Sequence, residues 1–159
     1  MGQPKPVNLD DDFENVFADE LEEGHQLMQG QYTIESFLNA GGFGITYRAR
    51  DSLDRPVVIK ECFPGSFCRR TTTSVQPRSR AHKRELSSIV GLFVQEARSL
   101  ARLNHPNIVG VHQVFEENNT AYMALDFVEG RDLLDMIEDP SEMLEPDQVE
   151  VMLLSLIHI

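Results

Sequence analysis

Leu38-Asn39-Ala40-Gly41-Gly42-Phe43-Gly44-Ile45-Thr46-Tyr47 is followed, after a polar turn, by Val57-Val58-Ile59-Lys60-Glu61. The glycines at 41, 42 and 44 sit between two strand-like runs, Tyr32–Phe37 and Ile45–Arg50. A hairpin without Cβ atoms lets backbone N–H groups close over phosphate oxygens. A lysine on the next strand can reach the same phosphates. The order of strand, glycine turn, strand, turn and lysine-bearing strand points to ATP.

Outward from this stretch, the polar turn Asp51–Arg55 leads into a third strand, Pro56–Glu61. Residues 64–85 hold Pro, Gly, Ser, Thr and basic residues with no apolar period, and read as a loop insertion. A long helix is expected over 85–104. Its apolar stripe is Ile89, Leu92, Phe93, Ala97, Leu100 and Leu103, and Asn104-His105-Pro106-Asn107 ends it. Two further strands, Ile108–Phe115 and Thr120–Phe127, flank a hairpin turn at 116–119. A short helix over 133–137, capped by Asp132, and another opening at Pro146 complete the pattern. Three antiparallel strands, a helix and a hairpin predict an α+β fold, a five-stranded antiparallel sheet with one long helix. Residues 1–29 read as an acidic disordered extension, with order beginning near Tyr32. The final helical pattern reaches Ile159 with no stop signal, so the sequence is expected to be part of a longer chain and its last residues need not be native.

Glu96 falls on the predicted apolar stripe, four residues before Leu100 and seven before Leu103. A carboxylate there is costly unless paired. Lys60 stands among Val57, Val58 and Ile59. The expectation is that the two satisfy each other and fix the ammonium where phosphate oxygens would lie.

The 159 residues carry a net charge of −12, which argues against general nucleic-acid or anionic-membrane binding. The charge is uneven. Residues 1–30 hold eight acids against Lys5, and residues 64–88 hold six basic residues against Glu85. Two solvated segments account for this, and a docking or self-inhibitory contact between them is the sharper reading. Cys62 and Cys68 read as reduced thiols rather than a disulfide framework. The five histidines share no metal-ligand spacing with cysteines or acids. No run approaches the roughly 18 apolar residues of a membrane span, and the N-terminus lacks a signal pattern. A cytoplasmic location is expected.

Five motifs in order carry a family resemblance. They are Gly-Gly-Phe-Gly-Ile-Thr-Tyr (41–47), Val-Val-Ile-Lys-Glu (57–61), Gln-Glu-Ala-Arg (95–98), His-Pro-Asn-Ile-Val (105–109) and Tyr-Met-Ala-Leu-Asp-Phe-Val-Glu-Gly (122–130). Over residues 30–159 the chain resembles the N-terminal lobe, hinge and first C-lobe helices of bacterial eukaryotic-like serine/threonine protein kinases. The resemblance implies a phosphate flap over 38–46 (Leu38, Asn39, Ala40, Gly41, Gly42, Phe43, Gly44, Ile45, Thr46). It implies that Lys60 contacts the α- and β-phosphates and pairs with Glu96. Leu125 would be the gatekeeper, and the Asp126 carbonyl and Val128 N–H would meet the adenine edge. Asp132 would lie near the ribose, Leu38, Thr46 and Val58 would line the adenine pocket, and Leu100 and Val111 would join a supporting apolar column. Three residues depart from the pattern. Asn39 replaces the first loop glycine, Thr46 the usual valine, and Val58 the usual alanine, where two extra methyls crowd the base. The family's His-Arg-Asp and Asp-Phe-Gly sequences do not occur in the chain. The general base and Mg²⁺ ligands are therefore expected beyond residue 159, and the isolated chain is expected to be inactive. The implied function is the ATP-binding part of a protein kinase that phosphorylates protein hydroxyls; the protein substrate is open. The alternative is a pseudokinase or regulatory nucleotide-binding module. A small-molecule kinase fits His-Pro-Asn-Ile-Val less well. A dinucleotide-binding fold is disfavoured because the glycines lead into a strand rather than a helix.

Overall fold

Alternation along one strand divides the molecule into two faces. Val57, Ile59 and Glu61 are buried on one side of the lysine-bearing strand, while Val58 is half-buried and Lys60 exposed on the other. A computed structural model describes residues 19–130 and Glu138. In chain order the elements are β1 (Gln26–Leu27), β2 (Tyr32–Gly41), β3 (Gly44–Asp51), β4 (Pro56–Cys62), β5 (Cys68–Thr71), β6 (Ser74–Pro77), α1 (His82–Leu100), β7 (Val111–Glu117) and β8 (Thr120–Asp126). Six strands form one antiparallel sheet in the order β1-β2-β3-β4-β8-β7, and β5 and β6 form a separate hairpin.

Directly paired residues share a face. Thr46, Lys60 and Met123 therefore lie on one side, with Arg48, Val58 and Leu125 beside them. Helix α1 packs on that side, where Phe93, Val94 and Ala97 meet Cys62, Ala121 and Met123. Ile45, Glu61 and Tyr122 lie on the opposite side, with Tyr47, Ile59 and Ala124. There the core closes with Leu21, Leu27, Phe63, Cys68 and Val75.

The turns follow the chemistry of their residues. Asn118 and Asn119 join β7 to β8 with φ of 52° and 59°, left-handed values that asparagine tolerates. No side chain of the N-cap residue Ala81 closes the start of α1; the Ser79 hydroxyl accepts the His82 N–H at 3.3 Å instead. Glu85 in the first turn and Arg98 in the last oppose the helix dipole.

Four expectations need correction. The sheet has six strands rather than five, because β1 adds a short edge. Order begins before Tyr32: Leu21 and Leu27 are buried, so residues 19–29 belong to the fold, and only residues 1–18 of the acidic stretch lie outside the described residues. The segment 64–85 is not a loop insertion but β5–β6 and the start of α1. Only Cys68 and Val75 of that hairpin are buried apolar residues, too few to create a periodic signal. The buried face of α1 is Leu86, Phe93, Val94 and Ala97, while Leu92 is 63% and Leu103 50% exposed. The expected stripe was therefore rotated toward solvent. The helices expected at 133–137 and from Pro146 lie outside the described residues.

Candidate functional site: the glycine hairpin and Lys60

Residues 38–46 form the end of β2, a tight turn and the start of β3, with Asn39 opposite Thr46, Ala40 opposite Ile45 and Gly41 opposite Gly44. A Cβ added at Gly41 or Gly42 would meet nothing within 4 Å. Gly44 differs: its Cβ would stand 2.6 Å from the Glu61 carbonyl oxygen. Only a glycine allows β3 to approach β4 so closely at that point. The same Cβ position is 3.9 Å from Lys60 Cε, so the lysine arm runs alongside the root of the glycine hairpin. The Phe63 N–H donates to the Phe43 carbonyl at 3.1 Å and ties the tip of the hairpin to the chain after β4.

Several apolar side chains of the hairpin and of the segment after β8 are uncovered. Leu38 is 45%, Phe43 69% and Val128 68% exposed. Val58 and Leu125 are half-buried opposite each other on the Lys60 side of the sheet. Thr46 is half-buried beside Lys60. Ile45 is buried in the opposite core, so its side chain faces away from Lys60 and only its backbone belongs to the hairpin surface. Asp132 lies outside the described residues.

Lys60 and Glu96 are not paired. Both are exposed, and no ion pair joins them among the described residues. The physical reason is the orientation of α1: Glu96 flanks the buried face instead of lying within it, so its carboxylate is solvated. The helix does cover the Lys60 side of the sheet, through Phe93, Val94 and Ala97.

The strand that leads out of the sheet past Leu125 is held at its edge. Asp126 accepts the Gly110 N–H at 2.9 Å and also pairs with the His112 ring. A Cβ at Gly110 would meet Asp126 Oδ2 at 2.5 Å, so any larger residue would have to shift this exposed carboxylate. The His112 hydrogen bond holds the Asp126 carboxyl below its ordinary range. Arg48 lies over the Phe127 ring at 5.0 Å and also donates to Glu35 at 3.1 Å.

A buried charged cluster lies behind the lysine and was not read from the sequence. Glu61 is fully buried, accepting from Tyr47 Oη at 2.9 Å, Tyr122 Oη at 2.8 Å and Arg70 Nη2 at 2.6 Å. The Arg70 side chain is only 2% exposed. Burial alone would lower its pKa, and the Glu61 carboxylate reverses the sign and raises it. Burial, then Glu61, pushes both tyrosines above the ordinary phenol range. The usable signal was alternation: Glu61 shares the Val57 and Ile59 face, where a carboxylate needs a cation. Nothing local marks Arg70 as that cation.

An antiparallel sheet carrying a glycine hairpin over a lysine-bearing central strand, with one helix packed on the lysine side, defines the small lobe of a kinase-like fold. The protein kinase domain model matches residues 32–158. The chain belongs to the protein kinase family. It is 32% identical over 105 residues to the serine/threonine-protein kinase pkn3 of Myxococcus xanthus, covering 65% of this chain and 16% of that protein. It is 31% identical over 111 residues to the serine/threonine-protein kinase PrkC of Bacillus subtilis, covering 69% of this chain and 14% of that protein. It thus spans under a fifth of either relative. Among solved structures, the PpkA-294 apo form superposes with a TM-score of 0.74 at 35% identity, covering 80% of this chain and 46% of that one. The PknI kinase domain of Mycobacterium tuberculosis (C20A_R136A double mutant) gives a TM-score of 0.61 at 22% identity, a likeness of fold alone, covering 86% of this chain and 47% of that one.

Proposed function

We propose that residues 32–130 form the ATP-binding small lobe of a protein serine/threonine kinase, which transfers the γ-phosphate to protein hydroxyls. The observation that carries this reading is Lys60. Its ammonium is exposed, engaged in no ion pair among the described residues, and its stem runs against the root of the glycine hairpin. A lysine so placed can hold two phosphate oxygens, while the open backbone at Gly41 and Gly42 can approach them without steric cost. The uncovered Leu38 and Val128 and the half-buried Val58 and Leu125 are apolar surfaces suited to a purine ring. In this reading the Asp126 carbonyl and Val128 N–H take the adenine edge, Asp132 the ribose, and Thr46 the pocket wall. The free glutamate is part of the proposal too: Glu96 turns toward Lys60 when α1 settles against loaded nucleotide. Mg²⁺ and the acceptor-activating base are supplied by residues outside this sequence, so these 159 residues alone bind nucleotide without transferring phosphate.

The second reading, a nucleotide-binding regulatory module without transfer, draws support from the unpaired Lys60 and from the bulk of Val58. One substitution tests the shared core of both. Lys60→Met is expected to weaken ATP·Mg²⁺ binding to the chain by about tenfold, ~1.4 kcal/mol, and to abolish autophosphorylation of a complete kinase carrying it. Fluorescent-nucleotide titration and radiolabel transfer measure the two effects. Wild-type affinity in the variant removes Lys60 from the site, and wild-type transfer removes its role in the chemistry.

A further inference from the structure

Lys60 and Glu61 are neighbours on β4 and point to opposite faces. Whatever fixes Glu61 therefore fixes the backbone from which Lys60 projects. Glu61 is held from behind by Arg70 of the β5–β6 hairpin, and Arg70 touches much more than Glu61. Its guanidinium donates through Nη2 to Glu61 at 2.6 Å, through Nη1 to the Thr73 carbonyl at 2.9 Å and through Nε to the Asp19 carbonyl at 2.8 Å. Its backbone N–H donates to Asp19 Oδ1 at 3.0 Å. The same guanidinium lies 5.2 Å over the ring of Phe63.

Those two supported residues are the ones on which the glycine hairpin rests. The Glu61 carbonyl is the atom that Gly44 approaches so closely that no Cβ could fit, and the Phe63 N–H is bonded to the Phe43 carbonyl. A contiguous path therefore runs from Arg70, through Glu61 and Phe63, to Gly44 and Phe43 on the far side of the sheet. Tyr47 extends it toward the N-terminal residues, because its hydroxyl donates to Glu61 and accepts the Leu21 N–H at 3.0 Å.

We propose that Arg70 and Glu61 are positioning residues: a latch behind the sheet through which the β5–β6 hairpin sets the glycine hairpin and Lys60 for nucleotide. This rests on the nucleotide-binding reading of Lys60, and it assigns a role to the segment between β4 and α1. Neither residue touches the nucleotide in this arrangement; both act through β4.

The test uses the whole 159-residue chain in five forms: wild type, R70M, R70K, E61Q/R70M and R78M. Arg78 lies in the same segment, but its side chain is exposed and donates to the Gly65 carbonyl at 2.8 Å rather than to Glu61, so it serves as the control. Amide exchange is followed by peptide, together with affinity for a fluorescent ATP analogue. In R70M, exchange at residues 41–46 and 60–62 is expected to rise on the order of tenfold, with the core of α1 unchanged. Analogue affinity should fall by a similar factor, R70K should recover part of both, and R78M should match wild type. E61Q/R70M removes both charges and so leaves no uncompensated carboxylate buried; its residues 41–46 should still exchange faster. Increased exchange confined to residues 19–21 and 68–77 overturns the latch, as does wild-type protection of 41–46 in the double variant. Exchange decides the latch whether or not the wild-type chain holds nucleotide. Absence of wild-type binding counts only against the nucleotide reading.

Discussion

Cys62 and Cys68 show how much a single residue's surroundings can alter its chemistry. Both are fully buried and free. Burial pushes the Cys62 thiol up to about 11 despite a hydrogen bond from Thr120 that works the other way. Burial, with Asp19 adding to it, pushes Cys68 up to about 12. An unfolded thiol titrates near ~8.5. The folded values are raised, so the unfolded chain loses its protons first and gains relative to the folded one as pH climbs. Stability is therefore full below about pH 8.5 and declines from there through about 11 and about 12, with the raised Tyr47 and Tyr122 adding to the loss. The urea midpoint is expected to be flat from pH 7 to 8.5 and to fall steadily by pH 10.5. Replacing both cysteines with alanine should shallow that slope. A midpoint constant across the range would contradict these thiol environments.

Among elements, the glycine hairpin makes the sharpest forecast, because its three glycines are not equivalent. Gly41 and Gly42 face open space, whereas Gly44 sits against the Glu61 carbonyl. Gly42→Ala should leave thermal stability within about 0.5 kcal/mol. Gly44→Ala must push β3 off β4, with an expected loss of roughly 1–3 kcal/mol and a weaker nucleotide site. Calorimetric melts of the two variants side by side check this, and equal melting temperatures would refute it. The hairpin itself was plain in the sequence, as were β3, β4 and β8 to within one or two residues, because turn glycines and β-branched runs are local signals. The Lys60–Glu96 pair was not reliable for an equally physical reason. The helical period gives a stripe, but its phase depends on which leucines are covered, and Leu92 turns outward. The β5–β6 hairpin was invisible because it offers only two buried apolar residues, Cys68 and Val75, and its charged anchor, Arg70, finds its partner on a strand outside it. Arg70 and Glu61 are ordinary charged residues until the fold brings them together.

At the level of the whole molecule, both faces of the sheet are occupied, by α1 on one and by residues 19–31 with β5–β6 on the other. Among the described residues, no helix is long and apolar enough to cross a membrane. The β7–β8 turn stitches the second face to the sheet. The Val75 N–H donates to the Asn118 carbonyl at 2.8 Å, and the Asn119 amide donates to the Val75 carbonyl at 2.6 Å. Glu61 depends on Tyr47, Arg70 and Tyr122, and Asn118 in turn donates to the Tyr122 hydroxyl at 3.0 Å.

That closure has a consequence for how the polypeptide acquires its shape. The groups that neutralise and solvate one carboxylate are spread across most of the described sequence, and the last of them is synthesised some sixty positions after it. Distant partners slow the search, so refolding from denaturant should proceed in milliseconds to seconds as one cooperative step, a time course stopped-flow fluorescence of the tyrosines can follow. On the ribosome, a nascent chain that has not yet exposed Tyr122 should remain sensitive to protease throughout, and become resistant only once that phenol has cleared the exit tunnel.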